Sequence, residues 1–376
     1  MKHTVLCGVD RTSLLATLLG GKRIALLTAA SGVNKAGIPT YEILRDLGDL
    51  RYLFAPEHGL ASAMQDGGFS KEDGVLHPET GAALYDMTAL PAERLTALLT
   101  DVDVAVYDIQ DVGARFYTYL CNLTQLMRAA RAAHRPVVVL DRPNPIANGV
   151  CEGLILDESR FSSFVGEYAI PTRYAMTVGE YARYVNVEKG IGCELEVVAC
   201  EGWKPTLYYD ETDLLWVNPS PNIPTVNAAI NYVGSCIYEA TNLSEGRGTT
   251  RPFDWLGAPF VDERRLLSDM NALCLPGVTF RAMTFTPMFN KHAGEVCRGV
   301  ELHVTDRDAY RPFETMLHMF RHFKTYDAFT MKRQGLALRL GQDILTEDFD
   351  PASVVKGEAE KLKSFCEIVE KYRLYF

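Results

Sequence analysis

No two of the nine cysteines form a CxxC pair; Cys7, Cys121, Cys151, Cys193, Cys200, Cys236, Cys274, Cys297 and Cys366 are scattered singly. That spacing excludes the common zinc-binding arrangements, and an odd count fits poorly with a disulfide framework, so reduced and mostly buried thiols are expected. The eight histidines are dispersed; apart from His318 and His322, which stand four positions apart, none forms an HxxxH or HxH pair, and no dedicated metal site is expected. Basic charge is not in excess: the formal net charge of -10 carries no footprint for nucleic acid. No stretch approaches the roughly twenty apolar residues of a membrane span, so no membrane partner is expected. The segment from Met1 to Asp10 is too short in apolar length for a signal peptide. As given, the chain reads as cytoplasmic, or as secreted or periplasmic where a leader has been trimmed. The fingerprints GxGxxG, GxxxxGK[ST] and GxSxG are missing as well, which weakens nucleotide-dependent and esterase readings; no cofactor is expected.

What is present is ordinary globular composition, 47% hydrophobic and 23% charged. The 376 residues exceed what one core usually fills, so two domains are expected. Strand-like and helix-like runs alternate through the first 200 or so residues, the pattern of a parallel sheet with crossover helices. Strands are expected at residues 4–8, 23–28, 50–54, 102–108, 136–141 and 194–199, with helices at 11–19, 41–47, 91–100, 120–134 and 178–185. Val102-Asp103-Val104-Ala105-Val106-Tyr107 and Pro136-Val137-Val138-Val139-Leu140 are nearly continuous apolar runs, suited to central strands buried on both faces. The texture changes at Trp216-Val217-Asn218-Pro219-Ser220-Pro221-Asn222-Ile223-Pro224-Thr225, where closely spaced prolines forbid helix and central strand alike. The boundary is placed there: an α/β domain over 1–222 and a smaller α+β domain over 223–376. The second mixes helical stretches (263–273, 312–322, 358–372) with strand-like ones (279–286, 299–304).

Several expected strands end in polar clusters. The carboxyl ends of parallel strands share one sheet edge, so Ser31, the pair Glu57-His58, the acids and amide of Asp108-Ile109-Gln110-Asp111, and Arg142 with Asn144 should converge there. In Phe54-Ala55-Pro56-Glu57-His58-Gly59, Pro56 ends the strand and leaves a carboxylate beside an imidazole. Desolvation suits such a carboxylate to general acid work; it would equally serve as a cap of the next helix. Asp108 to Tyr119 brings two acids, Gln110, Arg115, Tyr117 and further aromatics behind one buried strand, the mixture that holds a sugar by its hydroxyls and its C–H face, or pairs internally as a structural bridge. Asp141-Arg142-Pro143-Asn144-Pro145 is a rigid turn that aims Arg142 and Asn144, either at a ligand or at each other's loop. The glycine-rich stretch from Glu239 to Arg251 contains Asn242, Glu245 and Arg247; it fits a loop approaching a glycan or an acidic group, with Arg247 or Arg251 as counter-ion.

These segments, together with Ser163-Phe164-Val165-Gly166, Pro219-Ser220-Pro221-Asn222 and Asn242-Leu243-Ser244-Glu245-Gly246-Arg247-Gly248-Thr249, occur in an order and spacing that resembles the exo-β-N-acetylmuramidase family NamZ, glycoside hydrolase family 171. The resemblance covers nearly the whole chain. It implies a Rossmann-like, mostly parallel sheet domain, a smaller carboxy-terminal domain and a cleft between them. It further implies release of terminal N-acetylmuramic acid from the non-reducing end of peptidoglycan fragments, with Glu57 as catalytic acid beside His58. Asp108, Asp111, Glu239 and Glu245 are candidates for a second carboxylate; alternatively the substrate's own acetamide attacks the anomeric carbon. Ser31, Gln110, Arg115, Tyr117, Arg142, Asn144, Asn222, Asn242, Glu245 and Arg247 are the expected sugar contacts. Ala29 and Tyr174 depart from residues common in the family, Asn and the His of a His-Gly pair. They leave open a related amino sugar as substrate, or a protein that binds muramyl sugars without cleaving them.

Overall fold

Five residues, Val104 to Asp108, are buried without exception, as a strand covered on both faces must be. This strand and its neighbour Val137–Leu140 lie inside a seven-stranded sheet. The computed structural model describes residues 2–65, 72–147, 149–345 and 349–376. Its first sheet comprises β1 (Arg23–Thr28), β2 (Asp49–Ala55), β3 (Asp73–Leu76), β4 (Ala83–Asp86), β5 (Val104–Asp108), β6 (Val137–Leu140) and β7 (Leu195–Val198), in the order β3-β4-β2-β1-β5-β6-β7. All neighbours pair parallel except β3, which runs antiparallel to β4 at the edge. Counting only the parallel strands in chain order, the sheet reads 3-2-1-4-5-6, the doubly wound Rossmann order. Crossover helices Thr40–Leu47, Ala92–Thr100, Tyr119–Ala132 and Val178–Glu188 pack on its faces.

The second half is α+β. Strands β8 (Trp255–Ala258), β9 (Val278–Phe285) and β10 (Cys297–Val304) form an antiparallel sheet, order β8-β10-β9, flanked by helices that include Glu263–Ala272 and Pro312–Phe323. The long helix Pro351–Val369 begins earlier than residue 358, because Asp350 accepts from the Ser353 amide (3.0 Å) and Pro351 fills the first turn. The chain end then returns to the first sheet: the Tyr375 hydroxyl donates to Asp141 (2.6 Å) and accepts from the Cys200 amide (2.8 Å).

Residues 4–8 do not form a strand. Isolated bridges at His3 and Leu6 give way to a 3-10 turn, Gly8–Asp10, whose first amide donates to the Asp141 carbonyl (2.8 Å). Gly8 lies so close to the sheet that a Cβ would sit 2.5 Å from the Val198 carbonyl oxygen, so only glycine fits at that approach. The short strands β3, β4 and β8, and the helices Val226–Ser235 and Arg333–Leu340, were not foreseen. In the first of these helices nine of the ten residues are buried, so no polar face marks its period.

Four buried acids have their carboxyls pushed up by burial: Asp111 and Glu152 to about 7, Asp141 and Asp254 to about 6. Each holds its proton more tightly when folded than in the unfolded chain, where a carboxyl titrates near 4. Their stabilising contribution is complete below that value and is lost as pH rises through about 6 to 7. His318 and His322, lowered chiefly by burial, act in the opposite sense just below pH 6.5, and Cys366, lowered to about 7 by its hydrogen bond with Cys151, does so above pH 7, but they are three against four. The melting temperature is therefore expected to be higher at pH 5 than at pH 8 in matched ionic strength; calorimetry showing the reverse order would contradict this assignment.

Candidate active site

β2 ends at Ala55, Pro56 stops the ladder, and Glu57 is carried into a cleft where it is 9% exposed. Thr118, at the start of helix Tyr119–Ala132, donates its hydroxyl to Glu57 Oε2 at 2.9 Å. Tyr119 secures the same corner by donating to the Pro219 carbonyl at 2.8 Å, which ties the proline-rich crossing segment to the loop after β5. His58 follows in left-handed backbone conformation (φ 74°). For a residue with a side chain that conformation costs on the order of 1–3 kcal/mol, and such strain clusters at functional sites. Nδ1 of His58 lies 2.8 Å from the Met64 carbonyl, which can only accept, so Nδ1 carries a proton.

The pocket beside Glu57 draws its walls from both halves of the chain. Phe116, Tyr117 and Thr118 come from the loop after β5, Phe164 and Val165 from a bridged turn, and Ser220, Asn222 and Ile223 from the crossing segment. The second half contributes Tyr232, Cys236 and Glu239, then Arg247, Phe253 and Arg339. Tyr232 meets Phe116 edge-on at 5.1 Å and Phe253 at 4.7 Å, so one wall is a continuous aromatic surface. The cavity measures about 90 Å³, well under the roughly 300–1,000 Å³ of sites that engulf a drug-sized ligand. Phe164, one of its lining residues, is exposed. A wider groove of about 540 Å³ adjoins it on the other side of His58, lined by Ala29, Tyr41, Leu60, Met64 and His77 among others.

Of the expected site residues, Glu57, His58, Tyr117, Asn222, Glu239 and Arg247 meet in this pocket. The remainder do not line it. Asp108 is fully buried and bidentate to Arg142 (2.5 and 2.8 Å), with Thr40 also donating to it. Arg142 reaches the Val33 carbonyl as well (2.7 Å). Ser31 Oγ accepts from the Gln110 amide (3.2 Å), and the Gln110 side chain donates to the carbonyls of Asp111 (2.8 Å) and Pro143 (2.9 Å). The Asn144 amide donates to the Met176 carbonyl (2.9 Å). The strand ends thus converge as expected, but at the β1/β5 switch point they seal against one another with hydrogen bonds, and the open site lies one strand away at β2.

Arg115 donates to the carbonyls of Leu154 (2.5 Å), Ile170 (2.9 Å) and Arg339 (2.8 Å), and burial pulls its guanidinium down to about 9. Asp111 accepts from Tyr174 (2.6 Å), so the Tyr174 departure is buried in the core with Asp111 and lies outside the pocket lining. Asn242 joins Ala328 and Thr330, and Glu245 pairs with Lys291 (2.8 Å) and Arg247 (3.1 Å). Arg251 is half exposed and faces Asp254. Arg339, Tyr232 and Phe253 are pocket residues that the sequence did not single out, and Phe116 and Thr118 line it from within the Asp108 to Tyr119 stretch. Arg339 sits on a helix with no clear amphipathic pattern, and only its cation among apolar neighbours could have flagged it.

Glu239 is the other carboxylate in the pocket lining. Burial alone would push it up, but Arg247 (2.6 Å) and Arg339 (2.6 Å) together hold it down to about 2. Among the described residues no group of three or more His, Cys, Asp or Glu is placed to hold a metal ion, and no helix is long and apolar enough to cross a membrane.

A buried acid in an aromatic-walled pocket, on a doubly wound sheet with a second domain supplying cations, fits a hydrolase of the glycosidase class. Family models agree: that described as "Exo-beta-N-acetylmuramidase NamZ, N-terminal" matches residues 24–227, and its C-terminal counterpart matches 230–375. This chain belongs to the exo-β-N-acetylmuramidase NamZ family. It is 43% identical over 305 residues to the peptidoglycan β-N-acetylmuramidase NamZ of Bacillus subtilis, spanning 81% of this chain and 73% of that protein. Crystal structures of two DUF1343 family proteins from Bacteroides fragilis share the fold. One superposes with a TM-score of 0.91 at 29% identity over the whole of both chains, the other with 0.79 at 26% identity over 99% of each.

Proposed function

We propose that this protein is an exo-acting glycoside hydrolase that releases N-acetylmuramic acid from the non-reducing end of peptidoglycan fragments, with Glu57 as the acid. The observation that carries the reading is Glu57 itself, buried at the pocket with its Oε2 engaged by Thr118. A carboxyl held at that place can act as general acid toward the departing glycosidic oxygen. His58, its Nδ1–H fixed on Met64, stands between that pocket and the wider groove and orients the leaving-group side. Incubation with the disaccharide N-acetylmuramyl-β-1,4-N-acetylglucosamine is expected to yield both free monosaccharides by chromatography. Calorimetric binding without any released sugar would instead favour a muramyl-binding protein.

The state of Glu239 bears on the rest of the mechanism. A carboxylate clamped by two guanidiniums is a poor base and a poor nucleophile, and Asp108, Asp111 and Glu245 lie outside the pocket lining. This favours the substrate's acetamide oxygen as the attacking group, one of the recognised exceptions to the two-carboxylate scheme. Retention of the β configuration in the first-formed sugar is expected, read by proton NMR in the opening minutes of the reaction. An α product at that stage would return the role to a carboxylate-activated water.

A further inference from the structure

We infer that the groove beyond His58 is the leaving-group subsite, and that Glu72 together with the Tyr41–His77 pair reads the N-acetylglucosaminyl residue that departs from the muramyl sugar. This rests on the function proposed above and names the groups that select the other half of the substrate. With Glu57 as donor to the glycosidic oxygen, the departing ring begins beside residue 57 and leaves the pocket from there. His58, the next residue, lines both the pocket and the groove of about 540 Å³, so the two spaces adjoin at the acid. A second groove, lined by Gln125 and Arg128 among others, shares Phe164 with the pocket instead and takes no lining from the Glu57 loop.

The groove is built from the loops after β1 and β2, the first turn of helix Thr40–Leu47 and the β3–β4 hairpin. Tyr41 and His77 meet edge-on in it with ring centroids 4.9 Å apart, and Nδ1 of His77 lies 3.2 Å from the Thr80 hydroxyl, which fixes the imidazole. Leu60 and Met64 add apolar lining. Aromatic and aliphatic surface of this kind takes the C–H face of a sugar ring and the methyl of an acetamide. Glu72 is the acid in this lining, and its Oε2 is buried with no hydrogen-bond partner among the described residues. A buried carboxyl oxygen without a donor is costly, and an N–H or O–H group of a ligand removes that cost. N-acetylglucosamine brings both kinds of donor, the acetamide N–H and the ring hydroxyls, and carries no charge. A muramyl residue in the same place would bring its own carboxylate toward Glu72, and like charges brought together oppose binding. Apolar lining with a single acid therefore suits the glucosaminyl ring as the departing group.

The test compares wild type with Glu72→Ala and Tyr41→Leu on two substrates, the disaccharide N-acetylmuramyl-β-1,4-N-acetylglucosamine and N-acetylmuramyl β-fluoride, whose leaving group has no ring to fill the groove. Glu72→Ala is expected to lower kcat/KM on the disaccharide by about 10- to 100-fold, the value of a hydrogen bond to a charged group, and to leave the fluoride unchanged. Tyr41→Leu, which keeps apolar bulk and removes the ring face, should lower the disaccharide value by about 3- to 10-fold and likewise spare the fluoride. Equal losses on both substrates, or no loss on either, would overturn the subsite while leaving the hydrolase reading intact. Failure of wild type to cleave either substrate would instead overturn the proposed function and this inference with it. Glu72→Ala should keep the wild-type melting temperature, because Oε2 has no described partner to lose. Should a variant fail to fold, wild type alone decides: it should favour the disaccharide over methyl β-N-acetylmuramide by at least about 10-fold in kcat/KM, and equal values would overturn the assignment.

Discussion

Glu57→Gln is expected to slow cleavage of an aryl β-N-acetylmuramide by about 10²–10⁴-fold, the range that general acid catalysis contributes. The substitution keeps the shape of the side chain and keeps an oxygen to accept from Thr118, so binding and melting temperature should stay near wild type. The loss should shrink as the aryl leaving group becomes more acidic, because a leaving group that departs as an anion needs less help from a proton donor. A uniform loss across leaving groups would point to a role in orienting the sugar. Activity within a few-fold of wild type would remove Glu57 from the acid role.

The second large effect concerns stability. Asp108→Asn leaves Arg142 buried at the switch point without its counter-charge, and removal of one partner of a buried ion pair typically costs about 3–5 kcal/mol. Chemical denaturation should show that loss as a shifted midpoint with an unchanged slope. The double variant Asp108→Leu with Arg142→Met should recover much of it, since the penalty arises from the stranded charge. A loss in Asp108→Asn under about 1 kcal/mol would mean that water or another group reaches Arg142. The same variant tests function, because folded Asp108→Asn should retain the leaving-group dependence of wild type if Asp108 takes no part in the chemistry.

These two residues show what could be read from sequence. Glu57 and Asp108 both lie at the tip of a predicted strand and belong to the same sheet edge, and both looked able to serve in catalysis. Parallel type and the central place of β5 and β6 were legible because both are continuous apolar runs and because helices of ordinary length separate the strands. What was not legible was which strand-tip residues would turn toward each other. Asp108 and Arg142 are 34 positions apart, and only the register of β5 and β6 brings their side chains into bidentate contact. At the switch point, where ligands of open α/β sheets usually bind, hydrogen bonds among Ser31, Gln110, Asp108 and Arg142 close the strand ends against one another.

The second half of the site was harder. Glu239 and Arg247 were visible in a glycine-rich stretch, whereas Arg339 lies almost a hundred residues further on, in a helix whose apolar and polar residues do not sort to opposite faces. Tyr232 and Phe253 look in sequence like core aromatics, and in the structure they are that on one side and pocket wall on the other. The short strands β3 and β4 were missed because four residues give no period to count.

The most direct measurement is a crystal structure of Glu57→Gln soaked with N-acetylmuramyl-β-1,4-N-acetylglucosamine. The muramyl ring should lie in the pocket against Tyr232 and Phe253, with the glycosidic oxygen within hydrogen-bond reach of residue 57 and the glucosamine extending past His58. Sugar found at the carboxyl ends of β1 and β5, or in the cleft with its glycosidic oxygen turned away from residue 57, would contradict the account.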